Sequence, residues 1–259
     1  MLDNAPIPSP PQPERSAILN EIGACSGFMV DLDGTLIDAA GPRPGARRFV
    51  ERYGDRLLVL SNNSTDTPES LSRRLRGFDL PIPADRLLLA GCFAVDVVAK
   101  DRPGACLQLI GTETLLAYAL ARGLSCAGAA AAEIVLVARD PLLTYAKLAA
   151  AANAIRLGAR FYATNPDATH PGPAGTLVPE TGALTAAVAM AAGRLPDHVF
   201  GKPDATFVAE GLRRLGSGRA RTLVIGDNPD TDGRGAAALG LGFVHIGGPD
   251  RTGLLQLLG

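Results

Sequence analysis

Residues 28–35 read FMVDLDGT, an apolar run followed by two alternate acids and a glycine. A continuous apolar run is typical of a strand that is buried on both faces of a parallel sheet. In open α/β sheets ligands bind beyond the carboxyl ends of the strands, so chemistry is expected at Asp31 and Asp33. The same acids could instead cap a turn, because a motif this short also occurs without function.

Further apolar runs follow along the chain and alternate with Ala- and Leu-rich stretches. They read RLLVLS, CLQLI, EIVLVA, RFYAT, RTLVIG and FVHI. Helix starts are indicated at Thr67-Pro68, where a hydroxyl cap precedes proline, and at Thr112. Strands that alternate with helices predict a parallel sheet covered on both faces, the Rossmann-like, doubly wound α/β class.

A second acidic segment follows the apolar run at residues 221–226, where Gly-Asp leads into Asn-Pro-Asp-Thr-Asp at 228–232. Separate strands thus bring acids, among them Asp227 and Asp232, to one edge of one sheet. Gathered carboxylates repel one another and raise each other's pKa unless a cation is present. Hard oxygen ligands with an incomplete shell suit Mg²⁺, which is therefore the predicted cofactor; the preference over Mn²⁺ is an expectation from availability and ligand hardness.

Donors for a phosphoryl group occur in two other segments. Leu-Ser-Asn-Asn at residues 60–63 ends a strand, and Gly-Lys-Pro at 201–203 precedes a helix. A hydroxyl, loop N–H groups and an ammonium would surround the nonbridging oxygens, which predicts Ser61, Asn62 and Lys202 as phosphate-binding residues. Taken singly, Ser61 is a turn residue and Lys202 a solvated surface charge; taken in this order they form a phosphoryl-transfer set.

The order DLDGT, LSNN, GKP and GDNPDTD resembles the motifs of the haloacid-dehalogenase (HAD) superfamily, and the match spans nearly the whole chain after residue 20. Roughly 140 residues separate Ser61 from Lys202, far more than a parallel crossover needs, so a domain must be inserted there. Within it, ATNPD at 163–167 and Gly182-Ala183 resemble the C2-type α/β cap of subclass IIA. That subclass contains the NagD-like, 4-nitrophenyl phosphate and pyridoxal phosphate phosphatases.

The resemblance divides the chain into an arm, a core and a cap. Residues 1–15, rich in proline, are expected to form a loose arm that buries little. The HAD core is predicted from residues 16–86 and 197–259, and the inserted cap from 87–196. Gly233 departs from the family pattern, in which a branched apolar residue follows the Thr-Asp pair, and we expect this change to affect packing rather than chemistry.

The resemblance also implies a role for each motif residue. Asp31 would attack phosphorus and form an aspartyl-phosphate, and Asp33 would protonate the leaving alkoxide and then activate water. Asp31, Asp33 through its main-chain carbonyl, and Asp227 would bind the metal. Asp232 would orient those ligands or their waters.

Residues of the cap are expected to set specificity, namely Asn165, Asp167 and His170. A histidine in a Pro/Gly loop can equally be only solvated, so for His170 both interpretations stay open. The two acids that flank the motif loops, Asp38 and Asp66, could line the entrance, although turn and cap roles explain them as well.

The predicted reaction is the hydrolysis of small phosphate monoesters. The acid at Asp33 argues against a dehalogenase, which has no alkoxide to protonate, and the absence of an early cap argues against the sugar phosphomutases. Two alternatives stay open: a phosphotransferase or mutase that passes phosphate to a second alcohol, and a catalytically silent protein that only binds ligands. The sequence does not identify the substrate, because the cap loops decide it.

Composition limits the partners. The formal net charge is -1 and acidic and basic residues are interspersed. The sequence therefore indicates no basic patch that would bind nucleic acid or an anionic membrane. Four cysteines at wide spacings favour neither a zinc site nor a disulfide framework. We therefore expect a cytoplasmic protein whose partner is a small phosphorylated metabolite, and the resemblance implies a homodimer formed through the cap.

Overall fold

The computed structural model describes residues 22–126, 131–172, 176–247 and 253–258. The predicted arm at residues 1–15 lies outside these ranges, so its conformation stays a prediction. Within the described ranges, no helix is both long enough and apolar enough to span a bilayer.

The secondary structure alternates between strands and helices along the chain. In chain order the strands are β1 (Gly27–Val30), β2 (Ile37–Asp38), β3 (Gly41–Pro42), β4 (Leu57–Ser61), β5 (Leu87–Leu89), β6 (Cys106–Ile110), β7 (Ser125–Cys126), β8 (Ile134–Val137), β9 (Arg160–Ala163), β10 (Thr169–Pro171), β11 (Leu177–Pro179), β12 (His198–Val199), β13 (Thr222–Gly226) and β14 (Gly242–His245). The α-helices that lie wholly within the described ranges are α1 (Ala46–Tyr53), α2 (Pro68–Arg76), α3 (Ala90–Asp101), α4 (Glu113–Ala121), α5 (Tyr145–Arg156), α6 (Thr181–Ala192), α7 (Ala205–Leu215) and α8 (Arg234–Ala238).

The core sheet has five strands in the order β14-β13-β1-β4-β5, and each neighbouring pair is parallel. Successive residues of β1 point to opposite faces. Phe28 and Val30 join one buried apolar cluster, and Met29 joins another. Because both faces are covered, β1 can be apolar throughout, and the predicted doubly wound parallel α/β fold is confirmed.

The cap is a second unit with its own five-stranded sheet, in the order β12-β9-β8-β6-β7, again parallel. Helices α5 and α6 cover one face, where Ile155 and Val188 pack against Phe161. The other face belongs to an apolar cluster that also includes Met29 of the core sheet and Phe93 of α3. The two sheets therefore share one continuous apolar layer.

The sheet pairings place both crossings between core and cap slightly later than the predicted boundaries at 86/87 and 196/197. Leu87–Leu89 pairs with β4 and belongs to the core sheet. His198–Val199 pairs with β9 and belongs to the cap sheet. Each short strand forms the edge of the sheet that the chain is about to leave, and it pairs there before the chain crosses to the other unit.

The predicted helix starts are confirmed. Thr67 caps α2 by accepting a hydrogen bond from the Ser70 N–H, and Pro68 occupies the first helical position. Thr112 caps α4 by accepting a hydrogen bond from the Leu115 N–H. A hydroxyl at the N-cap satisfies one of the N–H groups that have no partner within the helix.

Candidate active site

Asp31 lies directly after β1, at the carboxyl edge of the core sheet. Its main-chain N–H donates to the carbonyl of Ile225 on β13, which continues the ladder by one residue. The carboxylate is 7% exposed and contacted on both oxygens. Thr35 Oγ1 donates to Oδ2 at 3.0 Å, and Lys202 Nζ donates to Oδ1 at 2.5 Å. The carboxylate is therefore fixed in orientation by these two contacts.

Two glycines let the acidic segments approach Asp31. Gly34 has a φ of 84°, and a Cβ placed on it would overlap Oδ2 of Asp227. A Cβ on Gly226 would overlap the carboxyl group of Asp232. The approach of Asp227 to the turn after β1, and of Asp232 to the end of β13, therefore needs glycine at both positions.

The carboxylates of Asp31, Asp227 and Asp232 form the centre of the site. One oxygen from each of them lies within 4.8 Å of the others. Burial, reinforced by the charge of Asp31, raises the pKa of Asp227 to about 6. Oxygen donors gathered at this spacing, in an environment that disfavours their charges, suit a hard divalent cation with an incomplete protein shell. The donor set therefore fits the predicted Mg²⁺.

Lys202 is the buried cation of the site, with 3% exposure. Its Nζ donates to Oδ1 of Asp31 and, at 2.7 Å, to Oδ1 of Asp232. Burial alone would lower the pKa of Lys202, but the two carboxylates raise it well above its usual value. The ammonium is therefore charged, and the interpretation of Lys202 as a solvated surface charge is wrong.

Asp232 uses both carboxylate oxygens. Oδ1 accepts from Lys202, and Oδ2 accepts from the main-chain N–H of Asn228 at 3.3 Å. The other predicted acid, Asp33, is exposed and is not one of the three carboxylates at the centre. Loss of solvation next to the surrounding protein raises the pKa of the Asp33 carboxyl to about 6, and the negative charge of Asp31 is the next largest cause.

The segment after β4 brings Ser61 and Asn62 to the same edge. Ser61 is buried, and its Oγ accepts from the main-chain N–H of Asn63 at 3.1 Å. The side chain of Asn62, a residue predicted to bind phosphate, donates to the carboxylate of Asp167 and to the carbonyl of Lys202. Its side-chain amide is thus engaged by protein groups.

The predicted cap residues reach the core in different ways. Asn165 donates to the carbonyl of Asn62 at 2.8 Å, and Asp167 accepts from the Asn62 amide. His170 lies on β10, and its Nδ1 is 2.7 Å from Oε1 of Glu180 at an angle that makes no hydrogen bond. Two of the three residues therefore contact the core directly, whereas His170 contacts another cap residue.

Residues that the sequence did not single out complete the site. Thr35 holds Asp31, and Thr181 accepts from Asn165 at 3.1 Å. Glu180 caps α6 and lies 3.4 Å from Nε of Arg139, and its charge reaches Asp33. Thr35 could have been found from its place in the DLDGT turn, but the cap residues carry no local signal because their partners come from other elements.

A parallel α/β sheet with this carboxylate and lysine cluster at its strand ends is an arrangement suited to phosphoryl chemistry. Two family models match the sequence: "Haloacid dehalogenase-like hydrolase" over residues 28–125 and a HAD-hydrolase-like model over residues 199–248. An acid sugar phosphatase of Staphylococcus epidermidis is 30% identical over 222 residues, which cover 85% of each chain.

Solved structures agree with these matches. A p-nitrophenyl phosphatase from Archaeoglobus fulgidus is 30% identical with a TM-score of 0.79, and the match covers 85% of each chain. A glycerol phosphate phosphatase from Mycobacterium tuberculosis, solved in complex with magnesium, is 29% identical with a TM-score of 0.80 over 87% of this chain and 68% of that one. The chain belongs to the haloacid dehalogenase-like hydrolases and is an enzyme of the phosphatase type.

Proposed function

We propose that the protein is a Mg²⁺-dependent phosphatase that hydrolyses small phosphate monoesters through an aspartyl-phosphate on Asp31. One observation supports this most directly. The Asp31 carboxylate is held by Thr35 on one oxygen and by Lys202 on the other, next to Asp227. Such a carboxylate is an oriented nucleophile whose charge is partly offset by a lysine that it shares with Asp232.

In the first half of the reaction, a carboxylate oxygen of Asp31 attacks phosphorus and the ester P–O bond breaks. Asp33 donates its proton to the leaving oxygen, so the alcohol departs neutral. Asp33 then removes a proton from water, which attacks the aspartyl-phosphate; inorganic phosphate leaves and the Asp31 carboxylate is restored. The exposed position of Asp33, two residues beyond the proposed nucleophile, suits both proton transfers.

The phosphoryl oxygens need donors on the side away from the nucleophile. Ser61 Oγ, the main-chain N–H of Asn62 and the ammonium of Lys202 are the groups proposed for this role. Asp31, Asp227 and the main-chain carbonyl of Asp33 would hold the metal, and Asp232 would orient them. Bound there, Mg²⁺ supplies positive charge that offsets the repulsion between the phosphate dianion and the acids.

The cap is proposed to determine the range of substrates. Relatives are named for sugar, p-nitrophenyl and glycerol phosphates, which share a small leaving group and differ in polarity. Asn165 and His170 are the cap residues proposed to limit what fits above the phosphate. The homodimer through the cap and the cytoplasmic location stay predictions.

The first experiment measures hydrolysis of 4-nitrophenyl phosphate with and without Mg²⁺ by the wild type, Asp31→Asn and the control Asp55→Asn, which changes an exposed acid. Metal-dependent turnover that Asp31→Asn abolishes and Asp55→Asn retains supports the proposal. A panel of metabolite phosphates then ranks substrates. Transfer of phosphate to an added alcohol in place of water would favour the phosphotransferase, and no turnover by folded, metal-loaded protein would favour a silent binding protein.

A further inference from the structure

Asn62 connects the core, the cap and the lysine segment. Its Oδ1 accepts from the main-chain N–H of Lys202 at 2.7 Å, and its Nδ2 donates to the Lys202 carbonyl at 3.2 Å. The same Nδ2 donates to the Asp167 carboxylate at 3.0 and 3.2 Å. One amide therefore fixes both main-chain groups of Lys202 and binds a carboxylate of the cap.

The cap segment that carries Asp167 is itself held firmly. Asn165 Oδ1 accepts from the Asp167 N–H at 3.0 Å, and Asn165 Nδ2 donates to Thr181 at the start of α6. The Asp167 carbonyl accepts from the Gly182 N–H at 2.7 Å. The Asp167 carboxylate is thus presented to Asn62 by a turn anchored on a helix start. We call Asn62, Asn165 and Asp167 the clasp.

The charge of Asp167 is unsuited to binding the phosphoryl group. Asp167 lies close enough to Lys202 and Asp31 to feel both charges, and burial raises the pKa of its carboxyl. A carboxylate in this position repels a phosphate dianion. The contact of Asp167 with Asn62 accounts for its presence better than a contact with phosphate does.

We propose that Asp167 is a positioning residue: by holding Asn62 it seats the cap and fixes the main chain from which Lys202 reaches Asp31. This role rests on the proposed function, since it assigns to Lys202 a part in phosphoryl transfer. It changes the predicted roles of two residues. The side chain of Asn62 holds the main chain of Lys202 and does not bind phosphate. Asp167 supports the hydrolysis of all esters equally and does not select a leaving group.

The test compares Asp167→Ala, Asp167→Asn, Asn62→Ala and the double variant Asn62→Ala/Asp167→Ala, with Asp101→Ala as a control for the loss of an exposed acid. Substrates are 4-nitrophenyl phosphate and glycerol 3-phosphate. Loss of a residue that orients a catalytic group costs roughly 10–100-fold in activity. We expect Asp167→Ala to lower kcat/KM by that factor on both esters, Asp167→Asn to retain an acceptor for Asn62 and most activity, and the double variant to resemble Asn62→Ala.

A second readout is independent of turnover. Amide hydrogen exchange of residues 61–64 and 200–202 should accelerate in Asp167→Ala and stay unchanged in Asp101→Ala. Unequal losses on the two esters would make Asp167 a substrate contact and overturn the inference, as would additive losses or unchanged exchange. If the wild type hydrolysed no ester, the proposed function would fail, while the exchange measurement would still decide whether the clasp exists.

Discussion

Thr35 donates its hydroxyl hydrogen to Oδ2 of Asp31, the oxygen that Lys202 does not contact. A hydrogen bond to a buried charged group contributes about 1.5–3 kcal/mol. We expect Thr35→Val, which retains the shape and loses the hydroxyl, to lower kcat for 4-nitrophenyl phosphate by roughly 10-fold or more. Thr35→Ser should retain most activity. Full activity of Thr35→Val together with reduced activity of Thr35→Ser would show that the methyl group, rather than the hydroxyl, matters at this position.

The acids at the centre of the site are expected to differ in their effect on metal affinity. Chelator treatment should abolish turnover, and added Mg²⁺ should restore it. Titration calorimetry should show that Asp227→Asn, which alters a proposed ligand, weakens Mg²⁺ binding more than Asp232→Asn does. For Asp232, which orients Lys202 and its neighbours, the loss should be roughly 10–100-fold. A larger effect at Asp232 would make it the ligand and would reverse the two assignments.

Gly201 packs against the clasp and against the cap. Its φ is +77°, and an added Cβ would lie 2.7 Å from Oδ1 of Asn62 and 2.8 Å from the Thr164 carbonyl. Gly201→Ala should therefore reduce the free energy of unfolding by about 1–3 kcal/mol and lower activity as well. The control is Gly54→Ala, where φ is -55° and nothing lies within 4 Å. That change should be neutral or stabilise by about 0.4–1 kcal/mol in a urea titration.

The departure from the family pattern at Gly233 has a structural explanation. An added Cβ there would lie 3.1 Å from Cε1 of Phe243, so the ring occupies the space of a side chain. Gly233→Val should destabilise the fold by about 1–3 kcal/mol. Combining it with Phe243→Leu should cost less than the sum of the single changes, since the two residues are in contact. Strict additivity in equilibrium unfolding would contradict this exchange of volume.

The sequence was informative about the fold where apolar runs are long. Every run quoted from the sequence contains a strand of one of the two sheets, because burial on both faces demands continuous apolar residues. Leu87–Leu89 was missed because a run of three leucines that leads directly into α3 is indistinguishable from the start of that helix. His198–Val199 is shorter still, and its pairing depends on β9.

The sequence indicated residues that the structure brings together, but it did not indicate the contacts that they make. The structure brings together Asp31, Asp227 and Lys202. The sequence predicted this because the two acids follow strands and the lysine precedes α7. The partners of Asn62 lie 105 and 140 positions away, so no local pattern reveals that its amide is already engaged. Short motifs identify chemical groups, whereas the hydrogen bonds those groups make depend on the tertiary structure.

The hairpin of β10 and β11 begins just after Asp167 and ends just before Thr181, two residues that are fixed by the clasp and by the start of α6. Its ends are therefore anchored independently of whatever lies between them. We expect loops of other lengths grafted between Thr169 and Pro179, which leave the Glu180 cap of α6 in place, to preserve the contact of Lys202 with Asp31. Protein engineers who seek a new leaving group can randomise this segment first, and natural divergence of the enzyme can follow the same route.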